Sequence, residues 1–309
     1  MAKTKFWVNW SIDCEATQHS VNDAELGRRG SAGYADILDE HNLKGTFFMI
    51  PRDAESDPAL YTSIMERGHE IGLHLHPGDE GYFEFAGVMG PDEQHELVAK
   101  AKDRWAQAMG FQPETFCMGY ASANDYTFGA LEDNGFKYGQ LSLPGRRLPE
   151  TACVWEGAPL NVHYANRWNR LLPGTMDFVD IPHTVDLESY MWGGKHPQDL
   201  RVELVDAKNH WYTINKAVMR QLHNDAVPVK VIRGVTHNTF DYSDPTNFRR
   251  LTLYGMIDAI QRILDNNDCE LKAATCKDIA DAFRAAVPKI DPKDKLKLDR
   301  RGYAGKKTV

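Results

Sequence analysis

Two short runs pair groups that can act on a metal ion and on a proton. Asp13-Cys14-Glu15 follows an apolar stretch rich in aromatic and β-branched residues, and His74-Leu75-His76 follows a second apolar stretch. Side chains alternate faces along an extended strand. Asp13 and Glu15 therefore share a face, as do His74 and His76, with Leu75 turned the other way into packing. Imidazole suits zinc, cobalt, nickel or iron, and an open catalytic site needs about three protein ligands with a position left for water. One carboxylate of the first pair can complete such a set while the other takes a proton. Each pair alone is weakly specific, because DxE also ends strands and caps helices, and HxH is common. Their occurrence at equivalent strand ends is what makes the signal. His237, in Gly234-Val235-Thr236-His237, follows a third apolar run, where it reads either as a general acid or as a satisfied histidine. His69, at an odd separation from His74, faces away and reads as structural. Asn124, His183, Trp168 and Trp192 are the candidates for contact with substrate, the tryptophans through their flat faces. His163 is a weaker candidate.

Strand-like runs at residues 6–12, 46–50, 70–76, 115–119, 136–141, 177–182 and 227–235, and one near 271, are the elements that would position these groups. Helical patterns separate them: one capped by Ser31, others from Pro58, from Pro91-Asp92 and over 124–134, a long one over 197–224, and two more over 246–267 and 277–286. Residues 142–176 read as loops with short strands. About eight strands alternating with helices predict a parallel α/β sheet. A barrel is favoured over an open sheet because no GxGxxG turn follows the first strand. Chemistry in such barrels sits at the C-terminal strand ends, which here carry Asp13, Glu15, His74, His76, Tyr120, His183 and His237.

The 309 residues carry a net charge of −8, which does not suit the surface as a whole to nucleic acid or an anionic membrane. Cys14, Cys117, Cys153, Cys269 and Cys276 are scattered and form no CxxC pair, so neither a zinc ribbon nor a disulfide framework is expected, and a reducing compartment fits. The first apolar run is broken by Asn9 and stopped by Asp13, too short and polar for a signal peptide, and no run reaches membrane-spanning length. A cytoplasmic location follows as the expectation. Residues 1–287 read as the barrel domain. Residues 288–309 read as a basic tail, with eight Lys/Arg against three Asp.

Four segments carry a resemblance to a known family, the polysaccharide deacetylases of the NodB-homology type. Ile12-Asp13-Cys14-Glu15 is similar to the family's opening acidic motif. Gly68-His69-Glu70-Ile71-Gly72-Leu73-His74-Leu75-His76-Pro77 resembles its GHEIGxH motif in an HLHP branch, and is the most specific of the four. Phe116-Cys117-Met118-Gly119-Tyr120, continued by Asn124-Asp125, Thr127 and Leu131 to Gly135-Phe136, resembles a third segment, and Thr236-His237 the closing histidine motif. The likeness spans about residues 6 to 285.

The resemblance implies a distorted (β/α)7-8 barrel holding one divalent metal, with zinc the expected ion. Carried onto matching positions, Asp13 is the general base, Glu15 and His74 are ligands, His237 is the general acid, and the Tyr120 backbone N–H helps hold the oxyanion. The family's second histidine falls four residues after the first, where this chain has Gly78; strand parity assigns the place to His76. The clearest departure is Cys117, where the family has an arginine that pairs with the catalytic aspartate. Arg28, Arg146 and Arg233 are candidates to supply that charge. The expected function is metal-dependent hydrolysis of a C–N amide bond, as in N-deacetylation of a sugar or sugar derivative. A hydrolase of small linear or cyclic amides, or an inactive barrel that binds carbohydrate, are the alternatives. The expected partner is a small-molecule or carbohydrate substrate, without nucleic acid or membrane, and a homo-oligomer is left open.

Overall fold

The structure is a computed structural model that describes residues 3–289. Most of the expected basic tail, residues 290–309, lies outside the described residues.

The first strand, β1 (Thr4–Cys14), organises the fold. Its Phe6, Val8, Trp10 and Ile12 point outward into the main hydrophobic core. The alternate Asn9, Ser11 and Asp13 face the interior, where Asn9 donates to Thr46 and to the Ala274 carbonyl. The other strands are β2 (Gly45–Met49), β3 (Glu70–Leu75), β4 (Thr115–Met118), β5 (Tyr138–Gln140), the short β6 (Arg147–Leu148), β7 (Cys153–Val154), β8 (His163–Tyr164) and β9 (Val179–Asp180), then β10 (Val185–Met191), β11 (His196–Asp199), β12 (Lys230–His237) and β13 (Cys269–Ala273). The main sheet runs β12-β1-β2-β3-β4-β5-β9-β8, with β13 also paired to β1. All its pairings are parallel except β8 with β9. One edge of β1 carries β13 at residues 4–8 and β2 at residues 10–14.

Helices α1 (Ala24–Glu40), α2 (Pro51–Ser56), α3 (Pro58–Glu66), α4 (Pro91–Met109), α5 (Thr127–Asp133), α6 (Ala207–Leu222), α7 (Phe248–Asn266) and α8 (Cys276–Ala286) fill the crossovers. Beyond the edge formed by β9 and its short antiparallel partner β8, no further strand carries the sheet round to β12. Irregular chain bridges the gap at the C-terminal end: His183 N–H donates to Ser142 O, Leu200 N–H to Thr184 O, and Val235 N–H to Leu200 O. This seam is the distortion in the barrel. At the opposite end α8 packs Cys276, Ile279, Ala280 and Phe283 against the interior-facing Phe48, Tyr138 and Val231.

Two local expectations are corrected. Ser31 is not a helix cap: Asp23 caps α1 by accepting from Leu26 N–H, and Ser31 is buried within the helix. Residues 197–206 are not helical. β10 and β11 form an antiparallel hairpin, irregular chain follows, and α6 begins only at Ala207, capped by Asp206. His69 is structural, as its parity required: its Nδ1 accepts from Gly45 N–H at 3.0 Å, and its Nε2 lies 3.1 Å from Asp39.

Candidate metal centre and active site

The C-terminal ends of β1, β3, β4 and β12 open onto one cavity of about 190 Å3. Its lining includes Asp13, Glu15, His74, His76, Cys117, Tyr120, Arg146, His183, Arg201 and His237. β1 presents Glu15, and β3 with its following residue presents both histidines on the same face. Glu15 Oε2 lies 3.1 Å from His74 Nε2 and 2.8 Å from His76 Nε2, and all three side chains are buried. Their donor atoms fall within 4.8 Å of one another. Burial works against the charge on Glu15, yet the bonds to His74 and His76 hold it well below the usual carboxylate range. Burial likewise disfavours a charged His76, but Glu15 and Glu84 outweigh it and push the ring up to about 10. A buried carboxylate and two imidazole nitrogens converging on one point make a donor set suited to a divalent ion of the zinc type.

The surroundings hold these groups in place. Glu84 Oε1 lies 2.6 Å from His76 Nδ1, and its Oε2 accepts from Gly78 N–H. A carboxylate on the outer nitrogen orients a ligating histidine and leaves the other nitrogen for the ion. Gly119 is required behind that ring, since a Cβ there would stand 2.6 Å from His76 Nε2. Asn238 Oδ1 accepts from the backbone N–H groups of Glu15 and Ala16, fixing the turn that carries the carboxylate.

Asp13 and His237 are register partners on β1 and β12, with Oδ2 and Nε2 3.9 Å apart. Asp13 Oδ1 is buried without a hydrogen-bond partner among the described residues. Glu203 Oε1 lies 2.6 Å from His237 Nδ1. Burial opposes a charged His237, but Glu203 outweighs it and raises the ring to about 9. Neither Glu203 nor Glu84 was among the residues singled out from sequence.

A second donor cluster joins Asp13, His74 and Cys117. Burial pushes the Cys117 thiol well above its ordinary value, so it stays protonated and is a poor ligand. The Glu15, His74 and His76 set is the better one. Of the three arginines proposed to replace the family's, Arg28 is spent on Glu25 at the surface of α1. Arg146 lines the cavity and donates to the Tyr120 carbonyl at 3.1 Å. Arg233, on the interior face of β12, is buried with all three side-chain nitrogens unpartnered among the described residues, and interacts electrostatically with Cys117, Cys276, Asp13 and Asp180.

Tyr120 stands at the cavity rim with φ 58°, followed by Ala121 at φ 52°, a conformation uncommon outside glycine. Its ring packs edge-on against His76 and Phe85. His183 lines the cavity. Trp192 is half exposed beside it, its ring 6.0 Å from the Arg146 guanidinium and edge-on to His196. The structure does not bring the other two substrate candidates to the cavity. Asn124 is committed to the Gly87 and Met89 carbonyls, to Gln94 and to Tyr126 N–H. Trp168 is 78% exposed in a separate surface hollow with Arg167 and Tyr126.

Residues 22–139 match the sequence profile of the family described as polysaccharide deacetylase, a span that includes His74, His76, Cys117 and Tyr120. A peptidoglycan-N-acetylglucosamine deacetylase of Bacillus cereus is 23% identical over 143 residues, 46% of this chain; the chain spans about half the length, 47%, of that curated relative. A Mycobacterium smegmatis structure assigned to the polysaccharide deacetylases superposes with a TM-score of 0.62 at 18% identity, covering 94% of both chains. An allantoinase structure gives 0.60 at 15% identity, covering 94% of this chain and 93% of its own. Residues 22–139 thus carry the polysaccharide deacetylase profile, and over nearly its whole length the chain shares the fold of these structures. Among the described residues no helix is long and apolar enough to cross a membrane.

Proposed function

We propose that the chain is a metal-dependent amide hydrolase that removes an acyl group from nitrogen, with an N-acetylated sugar or sugar derivative as substrate. The observation that carries this reading is the convergence of Glu15 Oε2 with His74 and His76 Nε2 beside the Asp13–His237 pair. A divalent ion held by Glu15, His74 and His76 would acidify a water and polarise the acyl oxygen. Asp13 takes the proton of the attacking water on its Oδ1, an acceptor that no group among the described residues occupies. His237, anchored through Nδ1 to Glu203, presents Nε2 to the departing nitrogen and protonates it. An amine leaves poorly without that proton, and general acid–base steps of this kind contribute roughly 10²–10⁴ in rate. The Tyr120 N–H at the cavity rim is the donor for the oxyanion.

The test is metal analysis together with turnover in four variants. Wild type is expected to hold about one divalent ion per chain, and His74→Ala and Glu15→Gln to lose both metal and activity. Asp13→Asn and His237→Ala are expected to keep the metal and lose turnover, with activated esters partly spared in His237→Ala. Stoichiometric metal retained by His74→Ala defeats the site assignment. Normal turnover in both Asp13→Asn and Glu15→Gln defeats the roles assigned to these carboxylates, and a wild type that turns over none of the amides defeats the hydrolase reading and leaves a carbohydrate-binding role.

A second reading, hydrolysis of a small linear or cyclic amide, is favoured by the cavity's size. At about 190 Å3 it is smaller than the roughly 300–1,000 Å3 typical of sites for drug-sized ligands. A fold shared with an allantoinase agrees with it. A screen of N-acetyl sugars against small amides separates the two readings.

A further inference from the structure

Part of the cavity wall is basic, and one of its arginines has no ion-pair partner among the described residues. Arg146, Arg201 and His183 line the same cavity as the metal-binding groups. Arg201 has a counter-ion, the fully buried Asp199, at 3.3 Å. Asp199 acts electrostatically on Arg146 as well, and Arg201 also feels Glu203 and Asp13, whereas Arg146 makes no ion pair with any carboxylate among the described residues. Arg146 is 6% exposed, its Nη1 donates to a neutral carbonyl, its other neighbour is the Cys153 thiol, and its Nε is buried with no hydrogen-bond partner among the described residues. Burial, together with Arg233, Arg201 and Arg146, holds His183 well below the ordinary histidine range, an independent sign that the potential here is positive.

A buried guanidinium without a paired anion is costly unless something else pairs with it. The net charge of −8 gives the protein no long-range attraction for anions. Any anion recognised here is therefore recognised locally.

We propose that Arg146, with Arg201 beside it, is a carboxylate subsite, so that the amide cleaved at the metal centre carries a carboxylate elsewhere in the same small molecule. This rests on the hydrolase reading for the reaction, though not for the binding. Arg201 already has Asp199 and Glu203, so the one guanidinium without an ion pair among the described residues is that of Arg146, and a single positive charge suits a carboxylate better than a phosphate dianion. The guanidinium fork matches a planar carboxylate, and the Trp192 ring gives the subsite a flat wall. Tyr120 links the two ends: its carbonyl takes the Arg146 hydrogen bond, and its ring packs 5.3 Å from that of His76. A compact bifunctional molecule therefore suffices to span them.

Succinamate (one amide, one carboxylate) and neutral succinamide are the probes, titrated by calorimetry into zinc-loaded wild type, Arg146→Gln, Arg146→Met and His74→Ala. Wild type is expected to bind succinamate at least tenfold more tightly than succinamide. That preference should fall to within twofold in Arg146→Gln, whose zinc content and Tm are checked alongside. Arg146→Met decides the matter if Arg146→Gln does not fold. Equal binding of the two probes by wild type overturns the proposal. So does a preference that survives loss of Arg146 and disappears in His74→Ala, because the carboxylate would then be ligating the metal. A wild type that takes up no zinc but still shows an Arg146-dependent preference defeats the hydrolase reading and leaves the subsite standing.

Discussion

At the residue scale, the proposed general acid is a pair of residues. Glu203 holds His237 by a 2.6 Å contact and, against the effect of burial, raises the ring to about 9. A raised histidine keeps its proton at neutral pH and loses it as pH climbs through that value. The alkaline limb of kcat/KM in wild type is therefore expected near pH 9. In Glu203→Gln it should move down by one to two pH units, towards the ordinary histidine value near 6.5. A profile unmoved by the substitution removes Glu203 from the mechanism. The missing family arginine is a second matter at this scale. Cys117 is protonated and buried, so Cys117→Ser should keep activity within about threefold. Arg233 supplies a positive charge to the interior around Asp13 and Cys117 from a different strand. Arg233→Met should lower turnover more than a hundredfold with metal content unchanged. A hundredfold loss in Cys117→Ser, with fold and metal intact, would point instead to a role for the thiol.

At the scale of elements, what could be read from sequence depended on whether a signal was local. Asp13, Glu15, His74 and His76 follow from strand parity, which needs only the neighbouring residues. Glu203 did not, because residues 197–206 read as the start of a long helix. Leu200, Val202 and Leu204 recur at every second position, the period of extended chain, and Val202 pairs with Val235 of β12. That short alternation was outweighed by the helical pattern that follows it. Glu84 lies in a loop with no period at all, and its partner is defined only by the path of the chain after Pro77. The basal layer of the barrel shows the same dependence on distant partners. Glu70 at the start of β3 accepts from Tyr138, Thr46 and the N–H of Lys277 on α8. Burial nevertheless dominates and pushes its carboxyl up to about 7. A carboxyl that ionises less readily folded than unfolded adds stability below its unfolded pKa and loses it as pH rises. Wild type should therefore lose up to about 3 kcal/mol between roughly pH 4.5 and 7, relative to Glu70→Gln. Denaturant midpoints for the two proteins at pH 4.5, 6 and 8 measure that difference, and parallel curves would refute it.

At the scale of the whole molecule, β1 joins parts of the chain that are far apart in sequence. It pairs along one edge with β12 and along the other with β2 and β13. Alternation of strands and helices made the barrel legible in outline. The seam between β9 and β12 was not, since it is built from irregular chain whose hydrogen bonds obey no period. The same arrangement divides the site by order of synthesis. Everything that would grip the ion lies within the first 76 residues, on β1 and β3, whereas the proton donor and its anchor wait for residues 203 and 237. Some 160 residues separate the two, which at ribosomal speed is roughly ten to thirty seconds of elongation. A nascent chain thus has its proposed ligands long before its proposed acid. In refolding with cobalt, the absorption of the bound ion should accordingly rise ahead of catalytic turnover, and the interval between them reports the docking of β12 onto β1.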